Sequence, residues 1–269
     1  MSESCSSGGP RRLPLVQDDA ELYDAPMTCF ASPRLTGLAR WASLPLLYLL
    51  LGLASLFAHT LVVSAQQAPP KHPLTGRQIA RVYTNTSWLN RLEREAEEQP
   101  DRALELIGIK PGMIIADIGA GSGYMTVRLA KRVGQQGKVY ANDLQAAMLK
   151  LLQDKVRGDK LTNVESVQGT ATDTRLPAGA VDLALLVDVY HEFWYPQEML
   201  RSIRRSLKPN GQLVLLEYRK EDPALPILPD HKMSVTEVRT EVEAEGFTFD
   251  RLLPQLPRQH IIVFRKPVQ

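Results

Sequence analysis

The chain has 269 residues, 44% hydrophobic and 23% charged, which is enough for one sizeable α/β domain and an appendage. Its 32 basic and 30 acidic residues leave a formal charge of +2, so no broad basic field is implied and nucleic acid is not an expected partner. The two cysteines, Cys5 and Cys29, precede a long apolar run, so the folded part has no thiol, no disulfide and no cysteine-rich metal site.

Residues 1–43 are rich in Ser, Gly and Pro and hold no apolar period, which reads as disorder. Residues 44–65 then run almost wholly apolar, close to the roughly 20 residues that span a bilayer core as a helix. Arg34 and Arg40 precede the run, and Val63-Ser64-Ala65 offers the small residues of a signal peptidase site. The first reading is a cleaved secretory signal and a secreted or periplasmic chain beginning at Gln66. The second is an uncleaved single span that tethers the chain to a membrane. A buried core helix is the weakest reading, because a run with no polar face cannot lie at the edge of a small domain. Residues 66–99 read as a linker and a lid helix. Within them Ser87–Gln99 is a charged helix, with Trp88, Leu92 and Ala96 on one stripe.

From Pro100 onward strands and helices alternate. The pattern predicts strands at 113–118, 138–143, 164–168, 181–187 and 212–218. Helices are expected at 124–133, 146–156, 197–207 and 234–245, and a closing hairpin at 247–253 and 260–265. Lys208-Pro209-Asn210-Gly211 stops the third of these helices, and Ser234 with Glu237 forms a capping box on the fourth. Such alternation implies a mostly parallel, Rossmann-like sheet with helices on both faces.

The segment that carries chemistry is Asp117-Ile-Gly119-Ala-Gly121-Ser-Gly123-Tyr124, where an apolar strand runs into a glycine turn and then a helix. Glycine lets the backbone approach a ligand and take positive φ. A dinucleotide fingerprint needs a third glycine where Tyr124 stands, which argues against a nicotinamide or flavin site. The next strand ends at Asp143, where an acid about 20 residues beyond the glycines is placed to bind ribose hydroxyls. Asn142 is the poorer alternative, since an amide accepts a diol less well than a carboxylate.

These residues resemble the class I S-adenosylmethionine-dependent methyltransferases, in particular the methyltransferase type 11 group. The glycine motif, Asp143, the segment Gly169 to Pro177, the strand Val181 to Asp188 and the turn Leu207 to Gly211 occur in the family's order. The resemblance implies a seven-stranded sheet with one antiparallel strand. It also implies S-adenosyl-L-methionine held by Asp117, Gly119, Gly121, Gly123, Tyr124, Asp143, Leu144 and Asp188. The adenine contact stays open between Thr170, Ala171 and Asp173, because Thr170 and Ala171 stand where the family commonly has an acid. Arg91 or Arg94 either meets the cofactor carboxylate or pairs along the helix, as Arg91 with Glu95 and Arg94 with Glu98.

In this fold the residues after the fourth strand face the transferred methyl, and here they read Asp188-Val-Tyr190-His191-Glu192-Phe193. His191 is the expected general base, because a neutral imidazole titrates near working pH, and Tyr190 is the second candidate. Glu217-Tyr218-Arg219 is expected to line the acceptor pocket. His231 and His260 stand alone in the sequence and suggest no metal. The reading is a methyltransferase acting on a small-molecule acceptor. The alternative is a module that binds the cofactor without turnover, or a membrane-tethered interaction protein that keeps the fold as scaffold.

Overall fold

Val181–Val187 is apolar at nearly every position, as a strand covered on both faces must be. In the computed structural model, which describes residues 70–268, it lies at the centre of a seven-stranded sheet of order β3-β2-β1-β4-β5-β7-β6. The strands are β1 (Ile114–Ile118), β2 (Lys138–Asp143), β3 (Val164–Gln168), β4 (Val181–Val187), β5 (Leu207–Tyr218), β6 (Thr248–Leu253) and β7 (Gln259–Arg265). β7 runs antiparallel to both of its neighbours, and the pairs among β1 to β5 are parallel. The described residues belong to one compact unit, Gln66–Gln269. The apolar run 44–65 and the stretch before it lie outside the described residues. Among the described residues no helix is long and apolar enough to cross a membrane.

The helices are α1 (Thr86–Leu89), α2 (Arg94–Glu97), α3 (Pro100–Ile107), α4 (Tyr124–Val133), α5 (Ala146–Gly158), α6 (Pro196–Ser206) and α7 (Val235–Ala244). Alternate residues of the strands face two separate cores. Ile115, Val139, Leu183, Leu185 and Val214 pack with α3 and α4, whereas Ala184, Leu186, Leu213 and Leu215 pack with α6 and α7. The capping box on α7 is formed as expected: Ser234 Oγ accepts from the Glu237 N–H, and Glu237 accepts from the Ser234 N–H.

Three expectations about elements are corrected. The helix expected over Ser87–Gln99 is two short turns, α1 and α2, with Asn90 between them. The Asn90 side chain bonds back to the Thr86 carbonyl and across to Ser122, which ends α1. The apolar stripe does not face inward: Leu92 is 86% exposed, whereas Arg94 is buried. α3 was not expected as a separate helix, although Pro100 opens it and Gly108, at φ 86°, closes it. β5 begins at Leu207, and Lys208 to Gly211 form an irregularity in its pairing with β4.

Chain order reverses across β1 and β4, and ligands in open α/β sheets bind outside the carboxyl ends of the strands at such a switch point. The glycine loop leaves β1 there, and the 3-10 turn Tyr190–Glu192 follows β4 there.

Candidate functional site

The glycine loop is built for a close approach. Gly119 and Gly121 have φ of 70° and 53°, a region that L side chains rarely adopt. A Cβ on Gly119 would stand 2.4 Å from Val189 Cγ2, so the loop and the post-β4 segment touch only because Gly119 has no side chain. Gly119 and Ala120 both donate to the Asn142 carbonyl, at 2.8 and 3.0 Å, which fixes the loop on the end of β2.

Asp143 meets this loop directly. Its Oδ2 accepts from the Gly121 N–H at 2.9 Å and its Oδ1 from the Gln145 N–H at 2.8 Å. Burial raises its carboxyl, and these N–H groups oppose the rise. Each carboxylate oxygen keeps a further acceptor site, so the ribose role assigned to Asp143 fits its surroundings. Asn142 is committed elsewhere, since its amide donates to the Val167 and Thr174 carbonyls. Leu144, 47% exposed, stands beside Asp143 with its apolar side chain open. Asp117 lies beneath the loop, where Thr126 Oγ1 donates to it at 2.5 Å and burial pushes its carboxyl up to about 6.

Two expected cofactor contacts face other ways. Asp173 accepts from Ser202 Oγ, Arg205 and the Arg175 N–H, so its carboxylate is engaged toward α6. Thr170 Oγ1 accepts from the Asp173 N–H, which leaves Thr170 and Ala171 as the loop's outward residues. Tyr124 donates from its hydroxyl to Glu95, and its ring lies between the Arg94 and Arg128 guanidiniums. It therefore ties α4 to the lid segment.

That segment crosses the loop. Leu89 Cδ1 stands 3.6 Å from where a Gly121 Cβ would be, and Asn90 reaches both Ser122 and Lys155. Arg94 pairs with Glu98 at 2.7 Å as expected, but both are buried. Arg91 pairs with Glu97 and Glu98 and not with Glu95, which meets Arg128. Glu98 also accepts from the Tyr218 hydroxyl at 2.7 Å. Asp188 is partly buried, takes a strained φ of 50° and accepts from the Gln259 amide at 2.6 Å, while its Oδ1 is buried without a partner. Burial, then the charges of Glu98 and Glu217, hold its carboxyl well above the usual range.

After β4 the backbone turns and brings together groups far apart in sequence. His191 is buried, and its Nδ1 stands 2.6 Å from Glu217 Oε2 at the end of β5. Its Nε2 stands 3.1 Å from His231 Nδ1, and Glu192 Oε1 lies 3.9 Å from the same Nε2. Burial alone would depress His191, but the Glu217 carboxylate overrides it and holds the imidazolium up at about 9. Burial and the charge of His191 push His231 down to about 4. Burial lifts Glu192 to about 7. The Glu217 carboxylate thus favours the charged form of His191, where a neutral imidazole is expected from the sequence, and burial favours the neutral form of His231.

Tyr190 is a second correction. Its side chain is wholly buried, packed edge-on to Phe193 and under the Arg77 guanidinium, so it is a core residue. Its main chain does serve the cluster, because its N–H donates to Glu217 Oε1 at 3.0 Å. Arg219 is tied to the carbonyls of Leu256 and Pro257 and leaves Glu217 as the acidic group of that trio at the cluster.

Sequence reasoning missed the strap that holds this turn. Arg77 Nη1 and the Ala80 N–H both donate to the His191 carbonyl, and the Tyr83 N–H donates to Glu192 Oε1. Arg77 is itself clamped by Glu241 through Nε at 2.8 Å and Nη2 at 3.0 Å. Arg77 and Glu241 are separated by most of the domain, and no local pattern announces the pair.

A family model described as a methyltransferase domain matches residues 116–215. The chain is 29% identical over 160 residues to the ubiquinone/menaquinone biosynthesis C-methyltransferase UbiE of Vibrio campbellii, covering 58% of this chain and 62% of that one. It is 33% identical over 119 residues to the UbiE of Hydrogenovibrio crunogenus, covering 44% and 47%. The chain thus spans about half to three-fifths of the length of these curated relatives. Its structure is similar to the crystal structure of a SAM-dependent methyltransferase from Aquifex aeolicus, at TM-score 0.65 and 28% identity, covering 68% of this chain and all of that one. With the glycine loop, the acidic end of β2 and the single antiparallel strand all in place, the family model, these relatives and this structural neighbour support a class I S-adenosylmethionine-dependent methyltransferase.

Proposed function

We propose that this chain transfers a methyl group from S-adenosylmethionine to a small molecule that approaches the end of β4 and β5. The observation that carries the reading is the position of the Glu217–His191–His231 chain after those strands, beside a glycine loop bonded to Asp143. When bound, the cofactor supplies an electrophilic methyl whose departing sulfur keeps the bond electrons, leaving S-adenosylhomocysteine.

The residues present fit that cofactor. The cradle at Gly119 would be filled by any Cβ, Asp143 retains acceptor sites for a diol, and the Asp188 Oδ1 is an orphaned buried acceptor suited to an ammonium. Asp117 supports the loop from below through Thr126, and Leu144 offers an apolar face to a base. Thr170 and Ala171 close the adenine side.

The acceptor gains its nucleophile by losing a proton, and the Glu217–His191–His231 cluster after β4 and β5 is placed near the point where that proton leaves. Methylation of carbon in the UbiE relatives supports an acceptor with an acidic C–H or a hydroxylated ring. The rest is positioning: an in-line displacement needs donor and acceptor held in contact and water kept out. A non-catalytic binding module would have no use for a buried acid–imidazole chain at this place. The apolar run 44–65 supports export, or a membrane tether if it is retained.

The test is a metabolite screen with the purified full chain and isotopically labelled cofactor, read by mass spectrometry. Label should appear in one class of small molecule. Label found only in protein, or in nothing while the cofactor binds, would overturn the reading.

A further inference from the structure

His231 enters the site from the 3-10 turn Pro229–His231, which follows β5 by a loop, and nothing in the sequence pairs it with His191. Yet the lone-pair atoms of His191, Glu192 and His231 all lie within 4.8 Å of one another. Two ring nitrogens 3.1 Å apart must share something between them, either a proton or a cation. Two nitrogens bound to one ion at about 2.0–2.1 Å stand about 2.9 Å apart at a right angle and about 3.3 Å apart at the tetrahedral angle. The observed separation falls between these values. Glu192 Oε1, 3.9 Å from His191 Nε2 and within 4.8 Å of the His231 ring nitrogen, joins them by a small side-chain movement.

The surroundings match a metal site more closely than they match a lone base. A metal-binding histidine donates its other ring N–H to a carboxylate, which fixes the tautomer and aims the free lone pair. Glu217 does this to His191 Nδ1, and the Tyr190 N–H in turn holds Glu217 in place. The Tyr83 N–H holds Glu192 in the same manner. Charge points the same way. Glu192 and Glu217 are buried beside the two imidazoles, and a divalent cation bound to the ring nitrogens would offset the charge of these carboxylates. Imidazole and carboxylate donors suit first-row transition ions, and three protein ligands leave a position open, the pattern of catalytic sites.

We propose that His191 Nε2, His231 Nδ1 and Glu192 bind a divalent transition-metal ion, zinc or a relative, with Glu217 orienting His191. The site takes the acceptor's oxygen at its open position, and this last point alone rests on the methyl-transfer reading. The ion would polarise that oxygen and lower the pKa of its hydroxyl, so that the proton can pass to water without a ring nitrogen as base.

The test uses the full chain, stripped with chelator and titrated with Co²⁺ followed by visible absorption, and with Zn²⁺ followed by calorimetry. One ion per chain should bind, with ligand-field bands in the cobalt form. His231→Ala, at the partly exposed end of the cluster, should weaken binding at least 100-fold, and Glu192→Gln should do likewise. Glu217→Gln should cost about 10- to 100-fold, the range for an orienting partner. His72→Gln, at a histidine that faces Glu241 elsewhere, should bind as the parent does. No saturable binding by a chain shown to be folded by circular dichroism would overturn the proposal, as would undiminished binding in His231→Ala. S-adenosylhomocysteine binding is measured in the same samples. Cofactor bound without metal sinks the metal site alone, and metal bound without cofactor sinks the methyl-transfer reading alone.

Discussion

Asp143 does two jobs, and removing it should show both. Its carboxylate holds the glycine loop through the Gly121 and Gln145 N–H groups, and the account also gives it the ribose hydroxyls. In Asp143→Ala both N–H groups lose a charged partner. Such hydrogen bonds contribute about 1.5–3 kcal/mol each, and an alternative water partner at the strand end lowers the net loss to about 2–4 kcal/mol in total. Burial already works against this carboxylate, so Asp143→Asn should recover part of that stability by keeping one acceptor. Affinity should behave differently. Loss of the charged acceptor should weaken S-adenosylhomocysteine binding about 10- to 100-fold in both variants, which corresponds to about 1.4–2.7 kcal/mol. Urea unfolding reads the first effect and calorimetry the second. An unchanged dissociation constant in folded Asp143→Ala would remove this residue from the cofactor site and refute the reasoning.

Three further outcomes follow from the packing. The Asp117 carboxyl is raised from 3.8 to about 6, so the folded state binds its proton more tightly than the unfolded state. Stability should therefore fall as pH rises from about 4 to about 6, by at most on the order of 3 kcal/mol, and urea midpoints of Asp117→Asn should lose that slope. Glu241→Ala leaves the buried Arg77 guanidinium without its partner and should cost about 3–5 kcal/mol in the same assay; a loss below 1 kcal/mol would mean that the clamp is solvated. His191→Gln should lower kcat about 10²- to 10⁴-fold with little change in S-adenosylhomocysteine affinity, whereas a parent-like kcat would place His191 among the structural residues.

The sheet was legible because its signals are local. Val181–Val187 and Ile114–Ile118 are apolar runs bounded by turns, Tyr124–Val133 starts where the glycines end, and Ser234 and Glu237 announce α7 three residues apart. The glycine loop and Asp143 were legible for the same reason, since their spacing carries the geometry. What failed was whatever depends on contacts between distant segments. The stripe Trp88, Leu92, Ala96 suggested one helix, but Asn90 finds Ser122 across the loop and breaks it. Tyr190 and His191 are adjacent in sequence, yet the 3-10 turn sends one ring into the core and the other to Glu217. His231 looked isolated because its partner lies 40 residues away, on the far side of β5 in the chain. Asp173 looked like a cofactor ligand by position, and only the placement of Ser202 and Arg205 on α6 shows where it is spent.

The central claim is that the loop from Asp117 to Gly123, with Asp143, holds S-adenosylmethionine. Calorimetry of the full chain with S-adenosylmethionine, S-adenosylhomocysteine and NAD tests it most directly. The account predicts saturable binding of the first two at one site per chain, in competition with each other, and no heat with NAD. Tight binding of NAD with no response to either sulfur compound would contradict it.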